Sequence, residues 1–283
     1  RLMPLTYEAF QNNGRVAPWP RARALLATPS HLGPRRAQLF MIMMYEITGT
    51  YSNTQIKKAI ENGHIICEPL NRAHINGSSV DVTLGMHFYR VKERRVGSLV
   101  YNPYDKEQVE LHFQYGKAET HKDIAERLGI EPLKNVPLDH LVIHLEPGER
   151  ILGHTHEFIG IKAPGTSSMQ ARSTTGRNGI AVCLDAGWGD PGYINRWTME
   201  IYNMHTEKHM MLPVGIRIAQ IVFYHTGPVD GEYSNLSGKY QTVSANNIDE
   251  LIANWQPEQM LPKAYKDIIE PYTPLKCDFR KAS

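Results

Sequence analysis

The sequence predicts a mainly β fold, a barrel or sandwich of many short strands with short helices at its periphery. Two patterns carry that prediction. Short apolar runs recur through the second half of the chain, and glycine or proline punctuates nearly all of them. In "INGSSVDVTLGMHFYRV", Val80, Val82, Leu84, Met86 and Phe88 share one parity, while Asp81, Thr83 and His87 take the other. A two-residue period is that of a strand with one face buried. Composition agrees with a folded globular body, since 41% of the 283 residues are apolar and 21% are charged. A formal net charge of +2 demands neither nucleic acid nor an anionic membrane as partner.

Taken in order, residues 1–50 read as an N-terminal arm. "RVAPWPRARALLATPSHLGPRR" is rich in proline, arginine and alanine, and "AQLFMIMMYEI" suits a buried strand. That run is about half the length of a membrane span. The main β-domain is set at 51–245. It opens on an amphipathic helix in "YSNTQIKKAIENG", capped by Ser52 or Asn53 and stopped by Asn62-Gly63, with Ile56, Ala59 and Ile60 as its apolar side. "HIICEPL" follows as a strand. The alternating strand comes next, interrupted at Gly85. Residues 91–140 look like an insertion, irregular apart from a helical piece in "KDIAERLG". "LDHLVIHLEPGERILGHTHEFIGI" reads as two strands joined at Pro147-Gly148. Further strands are expected in "GIAVCLD", "RWTMEIYN", "HMMLPVG" and "IRIAQIVFYHTG". Residues 246–283 form a partly helical tail beginning at "NIDELIANW".

The three cysteines, Cys67, Cys183 and Cys277, are far apart and odd in number. A disulfide scaffold is not expected and a cytoplasmic location fits better. Cys183 reads as a small core residue. The opening residues lack the basic-then-apolar form of a secretory signal. There is no Walker A loop and no G-x-G-x-x-G. Zinc nucleoside deaminases need a His or Cys with Glu two residues later together with Pro-Cys-x-x-Cys, and that combination is not present, since there is no Pro-Cys-x-x-Cys. His154/His156 and His205/His209 have metal-like spacings, but no cysteine or carboxylate pattern completes them. No metal-ligating residues and no zinc are expected.

The chemistry concentrates between Gln170 and Asn203. Arg172-Ser173-Thr174-Thr175-Gly176-Arg177 suits an oxyanion such as phosphate, because arginine offers a rigid fork of donors and the hydroxyls add shorter ones. It equally suits a solvated turn. In "RWTMEIYN", Trp197, Met199 and Ile201 share one face; Thr198, Glu200 and Tyr202 share the other. If that second face meets solvent, Glu200 is ordinary. If it lines a pocket, Glu200 is a candidate general base. Asp185 and Asp190 flank "AGWG" and either cap a turn or hold a water or a magnesium-bound phosphate.

Several pieces in one order resemble the dCTP deaminase family of the trimeric dUTPase-like superfamily. They are "INGSSVDVTLGMHF", "LEPGERILGHTHEFI", "RSTTGR", "DPGYINRWTMEIYN" and "SGKYQ", covering about residues 51–90 and 140–243. The resemblance implies a distorted jelly-roll or β-barrel that assembles as a homotrimer, with active sites between subunits. It implies that Glu200 activates water for attack on C4 of cytosine without zinc, turning dCTP into dUTP and ammonia. Ser173 and Arg177 would come from the neighbouring chain, and the Ala186 backbone would hold the water or the base. Arg172, Ser173, Thr174, Lys239 and Tyr233 would serve the triphosphate, with Mg²⁺ on its oxygens. Tyr240 and Gln241 would sit over the nucleotide. The loop "AGWGD" resembles the bifunctional type that also cuts the triphosphate to dUMP and pyrophosphate, with Asp190 as the acid for that step. A dUTPase-like hydrolase and a nucleotide-binding regulator without catalysis are also compatible with these motifs. The N-terminal arm, the 91–140 segment and the tail "GKYQTVS" depart from the family pattern.

Overall fold

The computed structural model describes residues 49–91, 100–184, 187–231, 233–235, 238–241, 244 and 246–271. The N-terminal arm as far as Thr48, its apolar run, Asp185, Ala186 and Cys277 lie outside the described residues. Strands dominate, with short helices beside them.

Helix α1 (Asn53–Glu61) begins at Ser52, whose hydroxyl accepts from the Gln55 N–H while the Gln55 side chain accepts from the Ser52 N–H. That reciprocal pair satisfies two donors a helix start leaves open. Ile56 and Ala59 are buried, and the turn after Asn62 uses Gly63 at φ +68°.

Strands β1 (Ile65–Glu68), β2 (Ser79–Thr83) and β3 (His87–Val91) follow. The alternating stretch is therefore two strands, broken at Gly85. A Cβ on Gly85 would meet the His154 ring at 2.0 Å, so only glycine lets the backbone pass. The polar face of β2 is buried as well, with Asp81 1% and Thr83 6% exposed. Thr83 is satisfied internally, whereas Asp81 is paired through Oδ2 alone and its Oδ1 has no hydrogen-bond partner among the described residues. The Glu157 carboxylate accepts from the Thr83 N–H at 2.9 Å and hydroxyl at 2.7 Å, while Asp81 pairs with Arg172 and, at 3.1 Å, Arg217.

The described part of the 91–140 segment holds α2 (Lys106–His112), β4 (Phe113–Lys117), β5 (Glu119–Thr120) and α3 (His121–Leu128). β4 pairs along β3, so this segment extends a sheet of the body. β6 (Leu141–Leu145) and β7 (Arg150–Ile161) meet at the predicted turn, where Gly148 has φ +70°. They then part into different sheets.

The remaining elements are β8 (Thr166–Ala171), α4 (Ser173–Arg177), β9 (Ile180–Ala181), β10 (Trp188–Gly189), β11 (Ile194–Asn203), β12 (Met210–Pro213), β13 (Arg217–Tyr224) and α5 (Ile248–Asn254). "GIAVCLD" is strand only over Ile180–Ala181, because Cys183 turns the chain at φ +52°. One sheet runs β4-β3-β7-β11-β9, with β1 also on β7; a second runs β10-β8-β13-β2; a third runs β12-β6-β5. These paths do not close into a barrel among the described residues, which corrects that part of the expectation. Each path ends in edge strands, and the core packs between sheets. It includes Val80, Val82 and Leu84 of β2 and its exit, Trp197, Met199 and Ile201 of β11, and Ile218, Ile221 and Phe223 of β13.

Candidate active site

β11 keeps the predicted parity. Trp197, Met199 and Ile201 are buried, while Thr198, Glu200 and Tyr202 are half-buried on the other face. The pairing to β7 shifts register between Arg196 and Thr198, a bulge that turns the Trp197 region. Trp197 is then held by Nε1 donating to the Ile159 carbonyl at 2.8 Å and N–H donating to the Thr155 hydroxyl at 2.9 Å.

Glu200 stands opposite Leu152 of β7, and its Oε2 is shielded from solvent. It opens on a pocket of about 390 Å³ whose walls include Asp190, Thr198, Glu200, Tyr233 and Tyr240. The face that periodicity left open is thus the wall of a cavity. Nearby Cys183 has its thiol pushed up to about 11 by burial and then by the Glu200 charge. It stays protonated at neutral pH and is no nucleophile.

Tyr193 also lines the pocket. Its ring meets Trp197 edge-on at 5.3 Å and Tyr233 at 5.0 Å, and burial pushes its phenol well above the usual range. Asp190 is exposed; its Oδ1 accepts from Trp188 Nε1 at 3.2 Å and its carbonyl accepts from the Tyr193 N–H at 2.9 Å. Gly192, at φ +85°, completes that tight turn.

Gln241 sits elsewhere than over the pocket. It is 3% exposed, accepts from the Ile194 N–H at 2.8 Å and donates to the Gly192 carbonyl at 3.0 Å. Its amide ties the turn before β11 to the start of the tail. Tyr240 does line the pocket, and its phenol accepts from the Lys263 N–H at 3.3 Å. Lys239 ion-pairs with Asp267, which raises its pKa, and its carbonyl accepts from Lys263 Nζ at 3.2 Å.

The arginine motif lies apart from this pocket. Ser173, Thr174 and Arg177 are exposed on α4, and none lines the Glu200 cavity. Arg172 precedes α4 and is ion-paired with buried Asp81. Sequence reasoning missed Met260 and Pro262, which bring the tail into the pocket wall, and Asp267, which holds Lys239. It also passed over Thr198, which Glu200's parity pointed to.

Three of the four paired histidines have ring hydrogen bonds within the fold. His154 Nδ1 donates to the Thr155 carbonyl at 2.7 Å and its Nε2 accepts from the His87 N–H at 3.2 Å, so both ring nitrogens are used. His209 pairs with His144 at 2.9 Å, and His205 bonds the Asn178 carbonyl. No group of three or more His, Cys, Asp or Glu is arranged to hold a metal among the described residues, and no described helix is long and apolar enough to cross a membrane.

Glu200 of β11 and Asp190 of the glycine turn line one pocket, and residues 50–226 match the dCTP deaminase-like family. The chain belongs to that family. This dCTP deaminase-like chain is accordingly an enzyme of the hydrolase type. It is 31% identical over 195 residues to the "dCTP deaminase, dUMP-forming" of Methanopyrus kandleri, covering 67% of this chain and 89% of the relative. It is 31% identical over 216 residues to the protein of the same name from Dictyoglomus turgidum, covering 70% and 95%. The crystal structure of the 2'-deoxycytidine 5'-triphosphate deaminase from Agrobacterium tumefaciens aligns over 64% of this chain and 49% of its own, at 18% identity and a TM-score of 0.44. The relatives' names correct one expectation. A reaction ending at dUTP was expected; these relatives, matched over most of their length, form dUMP.

Proposed function

We propose that this chain converts dCTP and two waters to dUMP, ammonia and pyrophosphate. The observation that carries the reading is the joint presence of Glu200 and Asp190 in one pocket of about 390 Å³, in a family whose relatives bear dUMP-forming names. A half-buried carboxylate beside water is suited to general base catalysis. Glu200 takes a proton from the water that adds to C4 and returns it to the amino group, which leaves as ammonia. Asp190 then receives the proton of a second water that attacks the α-phosphorus, and pyrophosphate leaves.

Arg172, Ser173, Thr174 and Arg177 serve this reaction from a neighbouring copy in a homotrimer of distorted jelly-roll bodies. Their separation from the Glu200 pocket supports that arrangement, as does the exposure of Ser173, Thr174 and Arg177. Lys239, Tyr233 and Tyr240 contribute from the copy that carries Glu200. Mg²⁺ would be held by the triphosphate oxygens, with Asp190 the carboxylate at the pocket wall suited to one of its waters; it neutralises phosphate charge when bound. The test incubates the purified protein and Mg²⁺ with dCTP and, separately, dUTP, and resolves products by chromatography. Ammonia, dUMP and pyrophosphate from dCTP are expected. Accumulation of dUTP with no dUMP overturns the second step, and inertness toward dCTP overturns the first.

A further inference from the structure

A second chamber lies on the same face of β11 and does not involve Glu200. Its volume is about 500 Å³, in the range of small-molecule sites. β3 and β4 supply His87 and Tyr115, β7 supplies Phe158, β11 supplies Arg196, and the tail supplies Trp255 and Glu258.

Arg196 is the unusual member. Its guanidinium lies 5.0 Å from the Phe158 ring centre and 4.6 Å from that of Trp255. Aromatic rings hold a cation through its face, and the guanidinium's N–H donors point out along its edge. Arg196 has no carboxylate within ion-pair distance among the described residues, and its Nε is buried with no hydrogen-bond partner there. Two acids lie nearby, and one of them, Glu258, is on the chamber's own lining, where its charge acts on His87. Glu157 favours the cation from a distance while accepting from Thr83, and exposed Glu258 acts on the Tyr89 phenol. Lys117 and Arg196 add positive charge around His87. A buried donor left unmatched costs free energy, whereas the outer guanidinium edge faces the chamber that Arg196 lines.

We propose that this chamber is a ligand site for a phosphate-bearing small molecule, with the phosphate on the edge of Arg196. A planar fork matches two phosphate oxygens at once. His87 and Tyr115, joined at 2.7 Å between Nδ1 and the phenol oxygen, provide further polar groups on the lining.

Calorimetric titration of the full chain with inorganic phosphate, acetate and adenosine monophosphate tests this. Phosphate and the nucleotide should bind the native protein and the Glu200→Gln variant alike. Arg196→Met should weaken both by at least about tenfold, the scale of a hydrogen bond to a charged group. Arg196→Lys, which keeps the charge and loses the fork, should weaken them with an unchanged melting temperature. Equal binding by Arg196→Met, or no phosphate binding to native protein at millimolar concentration, overturns the site. Acetate binding as tightly as phosphate overturns the ligand class. Dissociation of the native assembly by Arg196→Met, without phosphate binding, makes the chamber a subunit contact and also overturns it.

Discussion

Glu200 and His154 lie on neighbouring strands and face opposite demands. Glu200 opens on a cavity, so its charge is available for chemistry. Replacing it with glutamine keeps the shape and removes the proposed base. Deamination should fall by about two to four orders of magnitude while nucleotide binding, followed by calorimetry, stays near native. His154 is the reverse, sealed in the fold at 1% exposure with its pKa pushed down to about 3, chiefly by burial. Its Nε2 faces the His87 N–H, so a second ring proton has no acceptor there. The unfolded chain binds a proton near pH 6.5, and the folded one does so only near pH 3. Stability is therefore full above the unfolded value and declines as pH falls toward 3. Between pH 7 and pH 5 the loss should be about 2 kcal/mol, read from urea midpoints. His87 and His144, also shifted down mainly by burial, act in the same sense. His154→Gln should flatten the profile, and an unchanged slope would refute this account.

At the scale of elements, the tail is the feature that departs most from what the sequence conveys. β11 is legible because period two separates Trp197, Met199 and Ile201 from Thr198 and Glu200, and burial follows that separation. α1 is legible because its capping box is local. The buried polar face of β2 is not, since Asp81 is ion-paired by Arg172 and Arg217, and Thr83 is held by Glu157, all distant in sequence. The tail's place is hidden for the same reason. Met260 and Trp255 carry no period, and their burial depends on Tyr89, Leu152 and Phe158 of other strands. What stays hidden bears on the proposed site, because Asp267 and Lys263 together hold Lys239 and Tyr240. If Lys239 meets phosphate, Asp267 competes for it. Asp267→Asn should lower KM for dCTP several-fold with kcat unchanged, since a solvent-screened ion pair holds the lysine only weakly. Steady-state kinetics that show a raised KM would mean the pair pre-positions the lysine.

For the whole molecule, the separation of Glu200 from Ser173 and Arg177 makes complementation the decisive assay. Ser173→Ala and Glu200→Gln should each be inactive. Exchanged together in equal amounts, they should recover about a quarter of native sites, because each site then needs one intact residue from each parent. No recovery, with subunit exchange proven by mass, would place the whole reaction within one copy.

The divergence of β6 and β7 also bears on how the chain is made. β7 pairs with β1, β3 and β11, which begin at Ile65 and end at Asn203. Contacts so remote in sequence slow folding, because long loops must close before they are rewarded. On the ribosome, β7 emerges with β1 and β3 already made and waits for its last neighbour until β11 has been synthesised. The span from Arg150 to Asn203 is thus one interval in which a nascent chain is open to aggregation and to capture by chaperones.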